Sequence, residues 1–416
     1  MNQAVAGKQK DKITHVESDK QSIDDLALFG GHPAFVDKLH VGRPNIGNRD
    51  QLMTRINDLL DNKWLTNNGP FVKEYEEQVA SKLGVRHCIA MCNGTIALEI
   101  AIRALGLTGE VIVPSFTFIA TAHALQWQEI TPVFCDIRRN SHTIDPAQVE
   151  RMITPRTSGI IGVHLWGKAC EIDYLSEISL KHGLKLLFDA SHAFGCSFNG
   201  NMIGNFGEAE VFSFHATKFL NTFEGGAIVT NNDALADKIR LMKNFGFAGY
   251  DNVVYIGTNG KMNELSAAMG LTGLESMNQF IVENKKNYHH YRLGLVGIPG
   301  IELLLYDKKE KSNYQYIVLE IDDALSGIKR DQLIEILHAE NVIARRYFYP
   351  GCHRMEPYRS FFPHANLLLP NTELIAERVL ILPTGIAIGE HEINKICKII
   401  RFAVEHSAEF QKKKIL

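Results

Sequence analysis

Leu186-Leu187-Phe188-Asp189-Ala190-Ser191-His192-Ala193 and, further on, Val211-Phe212-Ser213-Phe214-His215-Ala216-Thr217-Lys218 are the two stretches on which the reading of this chain turns. Each opens as an apolar run of the length of a buried strand and closes on an ionisable side chain. The first stops at a carboxylate. The second passes through small and hydroxyl residues to an amine. Most lysines are solvated, but Lys218 is flanked by Phe212, Phe214, Phe219 and Leu220, and desolvation lowers an amine's pKa toward the reactive, uncharged form.

Working outward, short apolar runs recur at Val111 to Val113, Pro132 to Cys135, Gly159 to Val163, Leu184 to Phe188, Glu210 to Phe214 and Gly226 to Val229, with helical stretches between several of them. Near-continuous hydrophobicity separated by helices predicts an α/β fold with a mainly parallel sheet covered on both faces. Ligands bind such sheets at the carboxyl ends of the strands, where Asp189 and the Ser213 to Lys218 turn both fall. Upstream, residues 1 to about 22 are charged with few apolar partners and are expected to be mobile. Helical spacing starts with Leu52, Ile56, Leu59 and Leu60, so residues 1–47 read as a partly mobile N-terminal extension and 48–275 as a large domain. From Glu264 to about Leu295 a proline-free pattern predicts a long helix linking that domain to residues 276–416. This remainder carries a strand candidate at Tyr316 to Ile321 and helices at Arg330 to Ala339 and His391 to Val404, a smaller α+β unit.

The chain has 416 residues, 45% of them hydrophobic, ample for two cores. A net charge of -3, with no basic cluster, argues against a nucleic-acid partner. No apolar run reaches the roughly 18 residues of a membrane span, so a cytoplasmic, membrane-free enzyme is expected. Seven scattered cysteines without a Cys-x-x-Cys pair read as reduced thiols, and no metal site is expected.

A lysine and an acid at two strand ends suit pyridoxal 5'-phosphate. That cofactor needs an amine for a Schiff base and a carboxylate to keep its pyridine nitrogen protonated, so that electrons from the substrate carbon can drain into the ring. Asn93-Gly94-Thr95 precedes a helical run whose first N–H groups would receive a phosphate, with Gly94 allowing close approach and Thr95 adding a hydroxyl. Plain capping by Asn93 is the competing explanation. Ser213, five residues before Lys218, offers a further donor or is a strand-end serine. Phe118 is the candidate for stacking on the ring, against an ordinary core role. His192 and His164 are pocket candidates or structural histidines. A nucleotide-dependent oxidoreductase would need a Gly-x-Gly-x-x-Gly turn, which Met91-Cys92-Asn93-Gly94-Thr95 is not.

The blocks Asn93 to Leu98, Pro114 to Thr121, Val163 to Gly167, Phe188 to Gly195, Ser213 to Gly226 and Gly257 to Leu271 together resemble the DegT/DnrJ/EryC1/StrS sugar aminotransferases. The resemblance implies an aspartate aminotransferase-like fold (fold type I) with a mixed, mostly parallel seven-stranded sheet, a smaller C-terminal α+β domain, and a homodimer with active sites at the subunit interface. It implies Lys218 as Schiff-base lysine and proton shuttle and Asp189 as partner of the ring nitrogen. Gly94, Thr95 and Ser213 become phosphate ligands, Phe118 covers the ring, His192 lies near the phenolic oxygen, and Asn259 reaches the neighbouring subunit's phosphate. Lys261 falls at a basic position suited to the donor's carboxylate, and is otherwise a surface lysine. Tyr347 and His353, in a modified substrate-side loop, are sugar contacts. Two departures stand out: Asn93 replaces a common serine or threonine, and Thr222-Phe223-Glu224-Gly225-Gly226 replaces Gly-Glu-Gly-Gly. The implied reaction moves an amino group from L-glutamate to a keto sugar, first a nucleotide-linked 4-keto-6-deoxyhexose for cell-surface polysaccharide or lipopolysaccharide. An oxidised keto-octulosonic acid, a keto-cyclitol with glutamine as donor, and a non-catalytic regulator that binds pyridoxal phosphate stay open.

Overall fold

The computed structural model describes residues 19–415. The charged tail expected to be mobile lies mostly outside the described residues. The rest of the presumed extension is packed: Ile23, Leu26 and Ala34 are buried in the core of the smaller unit. Strand β1 (Leu39–His40) then leads to helices α1 (Arg49–Asn62) and α2 (Pro70–Leu83).

Strand and helix alternate through the larger unit, in the order β2 (His87–Met91), α3 (Gly94–Ala104), β3 (Glu110–Pro114), α4 (Ala120–Gln126), β4 (Thr131–Cys135), α5 (Pro146–Arg151), β5 (Thr157–Val163), α6 (Ile172–His182) and β6 (Lys185–Asp189). A short hairpin of β7 (Ser197–Phe198) and β8 (Asn201–Met202) precedes β9 (Ala209–Ser213), β10 (Gly226–Thr230) and α7 (Asp233–Met242). Seven of these strands form one sheet in the order β2-β10-β9-β6-β5-β3-β4, with β10 antiparallel to both neighbours and the other pairs parallel. Burial on both faces follows from the strand period of two. Leu186, Phe188 and Phe212 enter the core beneath α2 and α6, whereas Leu187 and Val211 enter the opposite core with Leu98 and Ala101 of α3 and Ile239 of α7.

Asn263 caps α8 (Glu264–Leu295) through the Ser266 N–H at 2.8 Å. This helix runs unbroken through the expected boundary at residues 275 and 276. Its Ala267, Leu271 and Phe280 belong to the larger core, and its Tyr288, Tyr291 and Leu295 to the smaller. The smaller unit comprises β11 (Ile301–Leu303), β12 (Ile317–Ile321), α9 (Asp323–Ser326), α10 (Arg330–Ala339), β13 (Val342–Ile343), α11 (Tyr358–Phe361), α12 (Pro370–Arg378), β14 (Val379–Leu382), α13 (Glu390–Glu405) and α14 (Ser407–Ile415). β11, β12 and β14 form an antiparallel sheet, and β1 pairs in parallel with β13 through Leu39 and Val342. Among the described residues no helix is long and apolar enough to cross a membrane.

Candidate active site

The carboxyl ends of β5, β6 and β9 open into a cavity of about 420 Å³. Gly94, Thr95, Phe118, Asp189, His192, Ser213, Lys218 and Tyr347 all line it. Eight side chains and backbone sites from five stretches of sequence thus meet in one place.

Asp189 is the last residue of β6, paired with Val163 on one side and Val211 on the other. It is buried, and its carboxylate is oriented from two directions: Thr121 donates its hydroxyl to Oδ2 at 2.8 Å and the Ser191 N–H donates to Oδ1 at 3.1 Å. Lys218 stands in a turn after β9 that is fixed by its own backbone. The Phe214 N–H donates to Gly225 at 2.8 Å, the Thr222 N–H to Phe214 at 2.9 Å and the Lys218 N–H to His215 at 2.8 Å. Phe219 and Leu220 sink into the larger core beside it. Its amine lies 3.5 Å from the Tyr316 hydroxyl. Burial pushes that amine down to about 8, partly opposed by the Asp189 charge. His192 is buried against the rings of Tyr316, Trp166 and Phe348, and burial first, then the Lys218 charge, hold it well below the usual imidazole range. It is therefore a neutral ring at pH 7, able to stack on or hydrogen-bond a flat ligand.

Opposite the lysine, Asn93 accepts the Ile96 N–H at 2.8 Å and so caps α3. Capping and anion binding are compatible here, because a cap uses one of the helix's first N–H groups and leaves others to a ligand. A Cβ on Gly94 would come within 3.0 Å of the Ser213 Cβ, and one on Gly226 within 2.7 Å of the Asn93 carbonyl carbon. The helix start, the Ser213 hydroxyl and β10 are thus drawn together in a cradle that side chains would fill. A hydroxyl and amide cradle, a buried carboxylate and a desolvated amine lining one cavity fit pyridoxal phosphate in the charge and chemistry of their groups.

Four expected residues do not line the cavity. His353 is buried and is not among the residues lining the cavity, with Nδ1 bonded to the Ser115 hydroxyl at 2.7 Å and Nε2 to Glu373, so both ring nitrogens are engaged within the protein. Asn259 is exposed and bridges to Asn244, while Lys261 bonds the Asn244 side chain at 3.0 Å and lies over the Phe245 ring. His164 is structural: it stacks on Phe188, accepts the Cys170 N–H at 3.1 Å and faces Glu210 at 3.3 Å.

Sequence reasoning also missed residues. Thr121 lies three positions after Phe118 in a segment already singled out, and Tyr316 heads a predicted strand. Asn45 is different. Buried, it donates to the Phe219 carbonyl at 2.9 Å and receives Asn221 at its own carbonyl at 2.8 Å, tying the segment after β1 to the lysine turn. Val41, Gly42 and Arg43 of that segment line the cavity as well.

A lysine and a carboxylate at adjacent strand ends of a mixed seven-stranded sheet, under a smaller C-terminal unit, define the aspartate aminotransferase-like class. The chain belongs to the DegT/DnrJ/EryC1/StrS aminotransferase family, whose model matches residues 47–401. It is 38% identical over 363 residues to the dTDP-4-amino-4,6-dideoxy-D-glucose transaminase of Escherichia coli, covering 86% of this chain and 97% of that protein. It is 31% identical over 354 residues to the GDP-perosamine synthase of Vibrio cholerae, covering 83% and 94%. The solved structure of DesI in the presence of its TDP-sugar product superposes with a TM-score of 0.91 at 48% identity, over 95% of this chain and 100% of that one. PseC of Helicobacter pylori, an aminotransferase of pseudoaminic acid biosynthesis, superposes with a TM-score of 0.82 at 26% identity, over 89% and 100%.

Proposed function

We propose that this protein transfers the amino group of L-glutamate to the keto carbon of a nucleotide-linked 4-keto-6-deoxyhexose, using pyridoxal phosphate, and that its product enters a cell-surface glycan. The observation that carries the reading is the Lys218 amine, brought down to about 8 in the same cavity as the buried Asp189 carboxylate. The relatives named for dTDP- and TDP-linked sugars support the acceptor class.

When bound, pyridoxal phosphate supplies an electron sink for the carbon that loses or gains a proton. Asp189, held by Thr121 and Ser191, presents a fixed negative charge to a protonated ring nitrogen. Gly94, Thr95 and Ser213 hold the phosphate through backbone N–H and hydroxyl donors. Phe118 and the neutral His192 line the same cavity and would pack against the ring. With a pKa of about 8, roughly a tenth of the Lys218 amine is uncharged at pH 7, so Nζ can take a proton from the glutamate α-carbon and return one during the acceptor half. Tyr316, whose hydroxyl burial holds well above its ordinary pKa, stays protonated and able to donate near that amine.

The reading extends to a homodimer in which Asn259 and Lys261 serve the neighbouring subunit's site. Supporting it, Phe245, Tyr250, Val253 and Ile256, just before those two residues, form an exposed apolar row.

The test is spectroscopic. Protein loaded with pyridoxal phosphate should lose its visible absorbance with glutamate and regain it with a dTDP-linked 4-keto-6-deoxyhexose, the amino sugar appearing by mass. Retained colour in glutamate would mean a silent binder, and bleaching without recovery on any nucleotide-linked keto sugar would point to another acceptor class.

A further inference from the structure

β1 and β13 run side by side in parallel, Leu39 against Val342 and His40 against Ile343, and both leave the ribbon at the same end. A few residues on, each delivers an arginine to the cavity: Arg43 after β1 and Arg345 after β13. Both are exposed, so they stand at the rim and not in the interior.

Their surroundings set them apart from the other arginines nearby. Arg346 pairs with Asp331, Arg330 with Asp331 and two carbonyls, and Arg354 with Glu373. Among the described residues neither Arg43 nor Arg345 has a carboxylate within ion-pair distance. Arg345 only lies over the Tyr347 ring, 5.4 Å from its centre. Of the acids lining the cavity, Asp189 is held by Thr121 and Ser191, and Glu224 faces His215 at 3.5 Å. Two guanidinium groups are thus left open toward whatever enters.

We infer that Arg43 and Arg345 form a rim clamp for the diphosphate of the nucleotide-linked acceptor. This inference rests on the acceptor class proposed above. The glutamate α-carbon must come to Lys218 Nζ, so the donor's carboxylates are drawn inside. The keto carbon must reach the same atom, which leaves the diphosphate of a nucleotide sugar outside it, at the rim. Planar guanidinium forks match phosphate oxygens in pairs, and two of them match the two charges of a diphosphate. Arg43 also lies before residue 47, where the match to the family begins.

The probe is dTDP alone, titrated calorimetrically into protein loaded with pyridoxal phosphate. The Arg43→Gln/Arg345→Gln variant should bind dTDP about tenfold more weakly than wild type, with a flatter salt dependence, and Arg43→Lys/Arg345→Lys should recover part of the loss. Because both side chains are exposed, thermal melting should be unchanged. The concentration of glutamate at half-bleaching should move less than twofold. Unchanged dTDP affinity in the glutamine variant, or a larger shift for glutamate than for dTDP, overturns the clamp while leaving the nucleotide-linked acceptor standing. Wild-type protein that bleaches with glutamate yet binds none of dTDP, UDP and GDP overturns both.

Discussion

Replacing Thr121 by valine removes one hydroxyl and keeps the volume, at a position with no solvent exposure. What is lost is the 2.8 Å bond to Asp189 Oδ2 and, with it, the longer 3.3 Å bond to the Thr117 hydroxyl. The Ser191 N–H still holds Oδ1, so the carboxylate stays in place with one oxygen short of its donor. A hydrogen bond to a charged group contributes about 1.5–3 kcal/mol, and losing one that orients a charge needed in the transition state lowers the rate by roughly 10- to 100-fold. Single-turnover bleaching by glutamate measures this directly. Thr121→Ser, which keeps the hydroxyl, should stay close to wild type, and that contrast separates the bond from the volume. If Thr121→Val bleached within twofold of wild type, the carboxylate would not depend on this donor, and Asp189 would not act as a charge fixed by Thr121.

Other outcomes follow from the same geometry. In the cofactor-free protein the Lys218 amine titrates near 8 when folded and near its ordinary 10.5 when unfolded. The folded chain therefore carries a penalty that is full below pH 8 and relieved as pH rises toward 10.5. Cofactor-free Lys218→Met should be more stable than cofactor-free wild type by on the order of 2 kcal/mol at pH 7, with the gap closing above pH 8 in denaturant titrations, and it should form no borohydride-trapped adduct with pyridoxal phosphate. Asn45→Ala removes a buried bond to the lysine turn and should cost about 1–3 kcal/mol in stability and slow cofactor loading. His353→Ala should lower the melting temperature while leaving the acceptor KM within about twofold, since its ring bonds only Ser115 and Glu373; a large KM change would restore it as a sugar contact. Ile256→Glu, on the exposed apolar row, should yield monomers in sedimentation together with loss of turnover.

Asp189 and Lys218 were legible because their signal is local: an apolar run that ends on a charge can be read without knowing what lies opposite. Six strands of the main sheet showed the same way. β2 escaped because its apolar part, Cys88 to Met91, is short and follows Arg86 and His87. It is identified as an edge strand of the seven-stranded sheet only by its ladder with β10. Asn45 and Arg43 escaped for a stronger reason. Asn45 meets the lysine turn across 174 positions of sequence, and a lone polar residue in the irregular stretch Gly42-Arg43-Pro44-Asn45-Ile46-Gly47 has no periodicity to betray it. His353 shows the opposite limit, since a histidine in a substrate-side loop looks the same in sequence whether its nitrogens face a ligand or, as here, bond Ser115 and Glu373.

At 32 residues, α8 is a rod about 48 Å long, with its first half sunk in one core and its last turns in the other. Such a beam resists hinging, because neither half can rotate without dragging its own packed layer. Swinging the C-terminal unit over the substrate would have to flex this beam, so a bulky acceptor is better admitted through a standing gap than under a closing jaw.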